Sequence, residues 1–237
     1  MLRLIQRALL TGIAGLLLTG CAAQQQPTPA RQAPANTTNT ILQVAELLDG
    51  RYDQAAVTVI GPVWQAGTEA RLVGGLLPNG GGGFAPAAGA GPVLIEGVEL
   101  RGLRAAPLGG YGVARLSGTV GVGADGGRRI VASEAKVLQP VALGLAELLA
   151  NSATYEGQVV AVDGSLLANQ NSALLVDSIG PGGVPAGDSQ QIKLAEPAPG
   201  VSILRDGSGS KTSVRQSVRA TGLWQANRLT VFWIEAP

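Results

Sequence analysis

Few side chains in this chain could do chemistry. The sequence has no histidine and a single cysteine, Cys21, which excludes a Ser-His-Asp triad, a Cys-His pair and the usual zinc sites. The carboxylates are scattered, and Asp163 and Asp177 could meet as an acid pair across neighbouring predicted strands. No partner for general acid–base work accompanies them, so solvated surface charge is the favoured interpretation. We expect a protein that is not an enzyme and uses no metal or cofactor.

The cysteine follows an apolar amino-terminal segment. Arg3 and Arg7 come first, followed by an apolar run from Ala8 to Leu18, which is shorter than the about 20 residues that span a bilayer. The run ends in Leu18-Thr19-Gly20-Cys21, which resembles the lipobox of bacterial lipoproteins. The resemblance implies that residues 1–20 are a cleaved signal peptide. It also implies that Cys21 takes a diacylglycerol on its thiol and an acyl chain on its amine.

The residues after the cysteine bear on location. Ala22 and Ala23 stand where lipoproteins retained in the inner membrane carry an aspartate, so the resemblance implies the outer membrane of the cell envelope, if the organism has one. Residues 22–40 are polar and rich in proline, which is typical of a mobile tether, so the predicted lipidated and flexible segment is 21–40. The alternative is a short membrane anchor or uncleaved signal in which Cys21 is incidental.

The charge balance argues against polyanionic partners. The formal net charge is +1, and removing Arg3 and Arg7 would take it to about −1 by subtraction. A sequence-independent nucleic-acid binder needs a dense basic surface, because its affinity comes from neutralising phosphates. The charge balance therefore argues against nucleic acid as a partner.

The mature region repeats itself. Val44-Ala-Glu-Leu-Leu48 is echoed by Leu145-Ala-Glu-Leu-Leu149, and Val57-Thr-Val-Ile-Gly61 by Val160-Ala-Val-Asp-Gly164. Other matched pairs are Tyr52-Asp53 with Tyr155-Glu156 and Ala114-Arg-Leu-Ser-Gly118 with Val218-Arg-Ala-Thr-Gly222. We predict two related domains, 41–139 and 140–237. The alternative is a chance similarity in a chain rich in Ala, Leu, Val and Gly.

Each unit reads as a short helix followed by short strands. Apolar spacing predicts a helix at 145–149, and Gly164 is expected to interrupt its strand at a bend or bulge, where no Cβ is needed. Alternation and turn residues, including a hairpin turn at Gln225-Ala-Asn227, predict the strands. These are 158–167, 173–176, 191–194, 214–224 and 228–235 in the second unit, and about 55–64, 69–76, 93–101, 111–122 and 128–137 in the first.

This pattern resembles the small exported OB-fold domains of bacteria. The residues that carry the resemblance are Leu148-Leu149, Tyr155-Glu156-Gly157, Val160, Val162 and Gly164, while the first unit has Gln54 and Ala55 in place of Gly157 and Gln158. The resemblance implies an all-β chain of two tandem OB-like small β-barrels, each with one short helix. Closing each sheet into a barrel would remove its exposed edges.

OB-folds often bind oligonucleotides or oligosaccharides on one face, so the aromatic residues matter. Phe232 and Trp233 are adjacent in a predicted strand and should point to opposite faces. The candidate binding face is Arg219, Trp224, Arg228 and Trp233, a stacking platform with cations. The alternative is that these aromatic side chains fill the barrel core.

The glycine run Gly80–Gly83 is not a phosphate loop, because no Lys-Ser/Thr pair and no helix follow it. It predicts a flexible excursion between strands.

The favoured function is a membrane-anchored envelope lipoprotein that binds a protein or a glycan without catalysis. The alternative is a module that binds single-stranded oligonucleotides outside the cytoplasm, and a hydrolase with paired carboxylates is a third hypothesis.

Overall fold

The computed structural model describes residues 41–79, 83–87, 91–169, 172–195, 198–199, 201 and 213–237, with the backbone alone for 213–216. Of the described residues, 57% are in strands and 8% in helices, so the predicted mainly β class is confirmed. The lipobox, Cys21 and the tether 22–40 lie outside the described residues. Within those residues, no helix has the length and apolar character needed to cross a membrane.

The first half of the described chain is a series of strands with one short helix. The elements are β1 (Ile41–Leu42), α1 (Val44–Leu47), β2 (Ala56–Ala66), β3 (Glu69–Leu72), β4 (Leu76–Asn79), β5 (Gly83–Pro86), β6 (Val93–Glu96), β7 (Arg104–Ala106), β8 (Gly109–Val122) and β9 (Arg128–Leu138).

Five of these strands close into a barrel. The order is β2-β3-β6-β9-β8, and β8 pairs back onto β2. All neighbours are antiparallel except β6 and β9, which are parallel. Alternate residues such as Val57, Val59 and Leu116 point into a core that also takes Leu47 from the short helix. Closure leaves the strands of the ring with no free edge.

The second half has the same order of strand pairing, without the continuous closing ladder of the first half. Its elements are β10 (Val141–Gly144), α2 (Leu145–Ala150), β11 (Val159–Ala168), β12 (Ala173–Val176), a short 3-10 turn (Pro181–Gly183), β13 (Gln191–Lys193), β14 (Ser213–Gln225) and β15 (Arg228–Glu235). The sheet order is β13-β12-β11-β14-β15, and its two ends meet at one parallel bridge between Leu194 and Leu229. Leu148 of α2 and Trp224 of β14 are fully buried in its core.

The repeated sequence segments make the same backbone contacts in both halves. The amide of Gln54 donates to the carbonyl of Val120 at 2.9 Å, and that of Gly157 donates to the carbonyl of Trp224 at 2.8 Å. Gln54 and Gly157 both have positive φ, 64° and 74°. The backbone therefore keeps one conformation at this position, although only the second half has a glycine there.

Three of the four glycines that end matched segments, Gly118, Gly164 and Gly222, lie at β-bulges. The pairing of β8 with β9 shifts register at Gly118, and that of β14 with β15 shifts at Gly222. A Cβ at Gly118 would lie 2.3 Å from the carbonyl oxygen of Val131, and a Cβ at Gly222 would lie 2.2 Å from that of Thr230. Gly164 also lies at a register shift, as expected, and a Cβ there would lie 2.8 Å from the carbonyl oxygen of Val176. Only glycine permits these close approaches of the backbone.

The bulge at Gly222 corrects the expectation for Phe232 and Trp233. Thr221 lies opposite Trp233 and Gly222 opposite Val231, so Phe232 is the extra residue of the bulge. The side chains of Phe232 and Trp233 therefore join the same apolar cluster instead of pointing to opposite faces. Strict alternation fails here because a bulge inserts one residue into the side-chain period.

That cluster connects the two halves. Ile60, Tyr111 and Val113 from the first half pack with Val159, Leu223, Phe232 and Trp233 from the second. The Gln43 Nε2 also donates to the Thr230 Oγ1 across the halves at 3.1 Å.

The segment around the glycine run contributes to this contact. β4 and β5 form an antiparallel hairpin, and Leu76 and Phe84 are buried in the cluster. Phe84 lies 4.9 Å from Tyr111 and 5.9 Å from Trp233 between ring centroids. Residues 80–82 lie outside the described residues, so the predicted excursion there remains a prediction, but its flanks are strands that cover the second half.

Candidate functional site

The predicted stacking platform does not form, because both of its tryptophans are buried. Trp224 is 0% exposed, and its indole N–H donates to the carbonyl oxygen of Ser152 at 3.1 Å. Trp233 is 1% exposed and packs at right angles to the ring of Tyr111. Trp224 lies in the core of the second half, as the alternative interpretation held, whereas Trp233 lies in the cluster between the two halves. Neither ring is exposed for a ligand to stack on.

The two arginines of that predicted face lie in different surroundings. Arg219 forms a two-point ion pair with Asp163, with N–O distances of 2.7 and 2.8 Å. Arg228 is exposed at the turn between β14 and β15. Because Arg219 already has its own carboxylate and the tryptophans are buried, the four residues do not form one binding surface.

The predicted acid pair is replaced by two separate networks. Asp163 and Asp177 line one shallow cavity of about 480 Å³, but Asp163 binds Arg219, while Asp177 accepts hydrogen bonds from Ser189 Oγ at 2.7 Å and from the amide of Gln190 at 3.0 Å. The hydrogen bond from Arg219 lowers the pKa of Asp163, and the one from Ser189 lowers the pKa of Asp177. A proton-sharing pair needs one raised pKa, and neither of these carboxyls has one.

A different site lies where the two halves meet. A cleft of about 420 Å³ opens beside the shared apolar cluster, and we call it the cation cleft. Its lining includes two cations, two amide side chains and several aliphatic side chains: Arg115, Lys136, Gln139, Gln158, Ile60, Val137, Leu138, Val141 and Val159. No carboxylate and no aromatic ring of the described residues lines it.

The bulge at Gly118 places the two cations together. Nearer the turn, Gly118 lies opposite Ala132, but beyond the bulge Ser117 lies opposite Glu134 and Arg115 opposite Lys136. Without the extra residue, Ser133, the ladder would bring Ala135 to Arg115. Directly opposite side chains have Cβ atoms about 4.5–5.5 Å apart, so the two cationic side chains start from neighbouring positions on one face of the barrel.

The equivalent positions of the second half carry compensating charge. There Arg219 lies opposite Asp163 on one neighbouring strand and opposite Glu235 on the other. Hydrogen bonding to Asp163, and to a lesser extent the charge of Glu235, raises the pKa of Arg219. This arginine is therefore stabilised in its charged form by two carboxylates.

The first half keeps the arginine and replaces both carboxylates. Arg115 lies opposite Ile60 on β2 and opposite Lys136 on β9. By the sequence repeat, Ile60 corresponds to Asp163, and by strand pairing, Lys136 corresponds to Glu235. Among the described ion pairs none involves Arg115 or Lys136, and Glu134, the nearest carboxylate along β9, pairs with neither. The cleft therefore presents uncompensated positive charge among aliphatic side chains.

Sequence reasoning missed this cation pair. Arg115 was visible only as the residue that aligns with Arg219, and Lys136 only as one of three lysines. The alignment of Ile60 with Asp163 was a usable signal, because it shows an arginine that has lost its partner. The position of Lys136 was not readable, since it depends on a bulge that alternation does not reveal.

The described residues contain no group of three or more carboxylate or thiol side chains arranged to hold a metal ion. Comparison with protein-family models, with curated proteins and with solved structures gives no match for this chain.

Proposed function

We propose that this chain is a lipid-anchored lipoprotein of the bacterial cell envelope, attached through Cys21, in which two tandem OB-like units form one non-enzymatic module for binding a protein or glycan partner. Two observations support the OB-like assignment. The closed ring β2-β3-β6-β9-β8 is a five-stranded barrel, and the second sheet has the same connection order and ends in one parallel bridge. A tether of residues 21–40 would let the module reach away from the membrane.

The cation cleft carries the proposal of a binding role. Two like charges lie directly opposite each other in a closed barrel, and such a pair costs stability unless a ligand supplies the opposite charge. In the same molecule, the equivalent arginine has its own carboxylate. An interaction surface explains why a closed barrel carries this uncompensated pair.

The oligonucleotide-binding alternative receives less support. Proteins that bind single strands combine a basic groove with aromatic rings on which the bases stack. Trp224 and Trp233 are buried, and no aromatic ring of the described chain lines the cation cleft. The near-neutral charge of the chain agrees with this preference.

Cross-linking in the native host tests the binding role. The lipidated wild type is compared with Lys136→Glu and with the matched charge reversal Lys193→Glu, which lies on β13 outside the cleft. We expect one companion that is recovered with the wild type and with Lys193→Glu but is depleted with Lys136→Glu. Recovery of no specific companion with the wild type would overturn the proposal.

The anchor has a separate test. We expect the intact mass of the protein from its native host to show loss of residues 1–20 and addition of a diacylglycerol and an acyl chain at Cys21. An uncut amino terminus or an unmodified thiol would contradict the envelope assignment.

A further inference from the structure

We propose that the cation cleft binds an acidic peptide segment of a protein partner, with one carboxylate shared between Arg115 and Lys136. This inference rests on the proposed binding function and specifies its ligand class. It follows from the charges, the walls and the strand edge at the cleft.

The charges specify an anion. Arg115 and Lys136 are both exposed, lie directly opposite each other and line the same cleft. Side chains that start from neighbouring positions can both reach one carboxylate, which can accept hydrogen bonds from a guanidinium and an ammonium group at once. In the second half, Asp163 fills the corresponding place beside Arg219 at 2.7 Å. In the first half, the uncharged Ile60 stands at the position of Asp163. A ligand carboxylate in the cleft would supply the negative charge that Asp163 supplies in the second half.

The walls favour a peptide over a glycan or a nucleic acid. Four aliphatic side chains line the cleft: Ile60 and Val159, which are buried, and Leu138 and Val141, which are more exposed. Aliphatic walls suit aliphatic side chains, whereas sugars and bases are usually bound against aromatic rings. The exposed amide of Gln139 can donate to and accept from a peptide backbone.

The strand edge agrees with an extended peptide. Val141, which lines the cleft, begins β10, and among the described strands β10 pairs with β11 alone. A strand that is paired on one side leaves backbone donors and acceptors on the other. An extended peptide can pair with such an edge while its alternate side chains enter the cleft.

Fluorescence anisotropy with defined probes tests the inference. The mature lipidated protein in detergent micelles is titrated against a labelled peptide that alternates leucine and glutamate. We expect binding that weakens as salt is added, because salt screens the electrostatic attraction between the peptide and the cleft. Lys136→Glu and Arg115→Glu should each raise the Kd at least about tenfold, which corresponds to about 1.4 kcal/mol. Lys193→Glu and Arg228→Glu, matched reversals outside the cleft, should leave the Kd unchanged.

Other probes decide the ligand class. A peptide that alternates leucine and glutamine should bind at least about tenfold more weakly than the acidic one. Equal binding of the two peptides would overturn the inference, as would tighter binding of oligo-dT, an acidic polysaccharide or phosphatidylglycerol vesicles. No binding of the acidic peptide would also overturn it, while a companion captured by cross-linking would leave the proposed binding function standing.

Folding controls separate charge from structure. Lys136→Glu recreates the Arg219–Glu235 arrangement of the second half, so its Tm should equal or exceed that of the wild type. Lys136→Arg should keep the affinity, and Lys136→Gln should lose it with an unchanged Tm. Loss of affinity in Lys136→Arg, with the fold intact, would contradict a role based on charge.

Discussion

Gln54 has a left-handed backbone conformation, with φ at 64°. The equivalent residue of the second half, Gly157, has the same conformation. A residue with a Cβ pays a conformational penalty in this region, and glycine does not. We expect Gln54→Gly to raise the free energy of unfolding by about 0.5 kcal/mol, because the relief of strain exceeds the extra entropy of an unfolded glycine. Urea unfolding followed by tryptophan fluorescence measures the change.

The equivalent glycine provides the control. A Cβ on Gly157 would meet the Ile41 Cδ1 at 3.6 Å, an ordinary contact, so the cost of Gly157→Ala should be conformational. We expect a loss of about 1 kcal/mol in this variant. If Gln54→Gly destabilised the protein, the two positions would not share the same backbone constraint.

The ion pair of Asp163 with Arg219 makes stability depend on pH. The hydrogen bond from Arg219 holds the pKa of Asp163 below its usual range, and a carboxyl with a lowered folded pKa binds fewer protons than in the unfolded chain. Its contribution is therefore present above about pH 4, the unfolded pKa, and is lost as the pH falls through the lower folded pKa. The side chain of Asp163 is 51% exposed, so we expect a contribution under about 1 kcal/mol.

Asp163→Asn tests this contribution. Urea unfolding at pH 7 and at about pH 3 should show a smaller loss of stability on acidification in the variant than in the wild type. Asp188→Asn removes another exposed carboxylate and serves as the matched control. An acid dependence that is identical in Asp163→Asn and the wild type would rule out this role for the pair.

At the scale of elements, alternation and turn residues were enough to locate the long strands. The predictions for β12 and β15 have the observed bounds, and those for β11 and β14 differ by one residue at each end. These strands are flanked by turn residues, and Ala226 and Asn227 adopt the positive φ of a tight hairpin turn, 50° and 58°. Sequence reasoning works here because local chemistry fixes both ends of each strand.

The same reasoning fails where contacts between distant segments decide the structure. The prediction of one strand at 69–76 combined β3 with the start of β4, and the predicted strand 93–101 ends early, at Glu96. The burial of Phe84 and Trp233 depends on packing between the two halves. Arg115 and Lys136 lie opposite each other because β9 has an extra residue at the bulge. None of these features has a local sequence signal of its own.

The glycines at two bulges, Gly118 and Gly222, lead to a prediction about how the strands pack. Because a Cβ at Gly222 would lie 2.2 Å from the carbonyl oxygen of Thr230, Gly222→Ala forces the strands apart. We expect this variant to lower the free energy of unfolding by about 1–3 kcal/mol, and Gly118→Ala to do the same. Gly144→Ala is the control, since a Cβ there meets nothing within 4 Å. An equal effect of all three substitutions on urea unfolding would contradict the steric explanation.

At the scale of the whole molecule, the two halves share an interior. The cluster of Tyr111, Phe232 and Trp233 draws side chains from both, and the β4–β5 hairpin adds Phe84 to it. The cation cleft lies at the rim of this contact, since Ile60 and Val159 belong to both the cluster and the cleft lining. The geometry of the cleft therefore depends on the halves staying packed together.

Phe84→Ala tests this dependence. Phe84 is 5% exposed and belongs to the first half, and its removal leaves a cavity against Tyr111 and Trp233. We expect the free energy of unfolding to fall by about 3 kcal/mol. Because the cluster is common to both halves, amide hydrogen exchange should accelerate in β15 as well as in β8. Val59→Ala, placed in the core of the first barrel, is the control for a change confined to one half. Exchange that accelerated only within residues 41–139 of Phe84→Ala would show that the halves unfold independently, and the cleft could then open without either half unfolding.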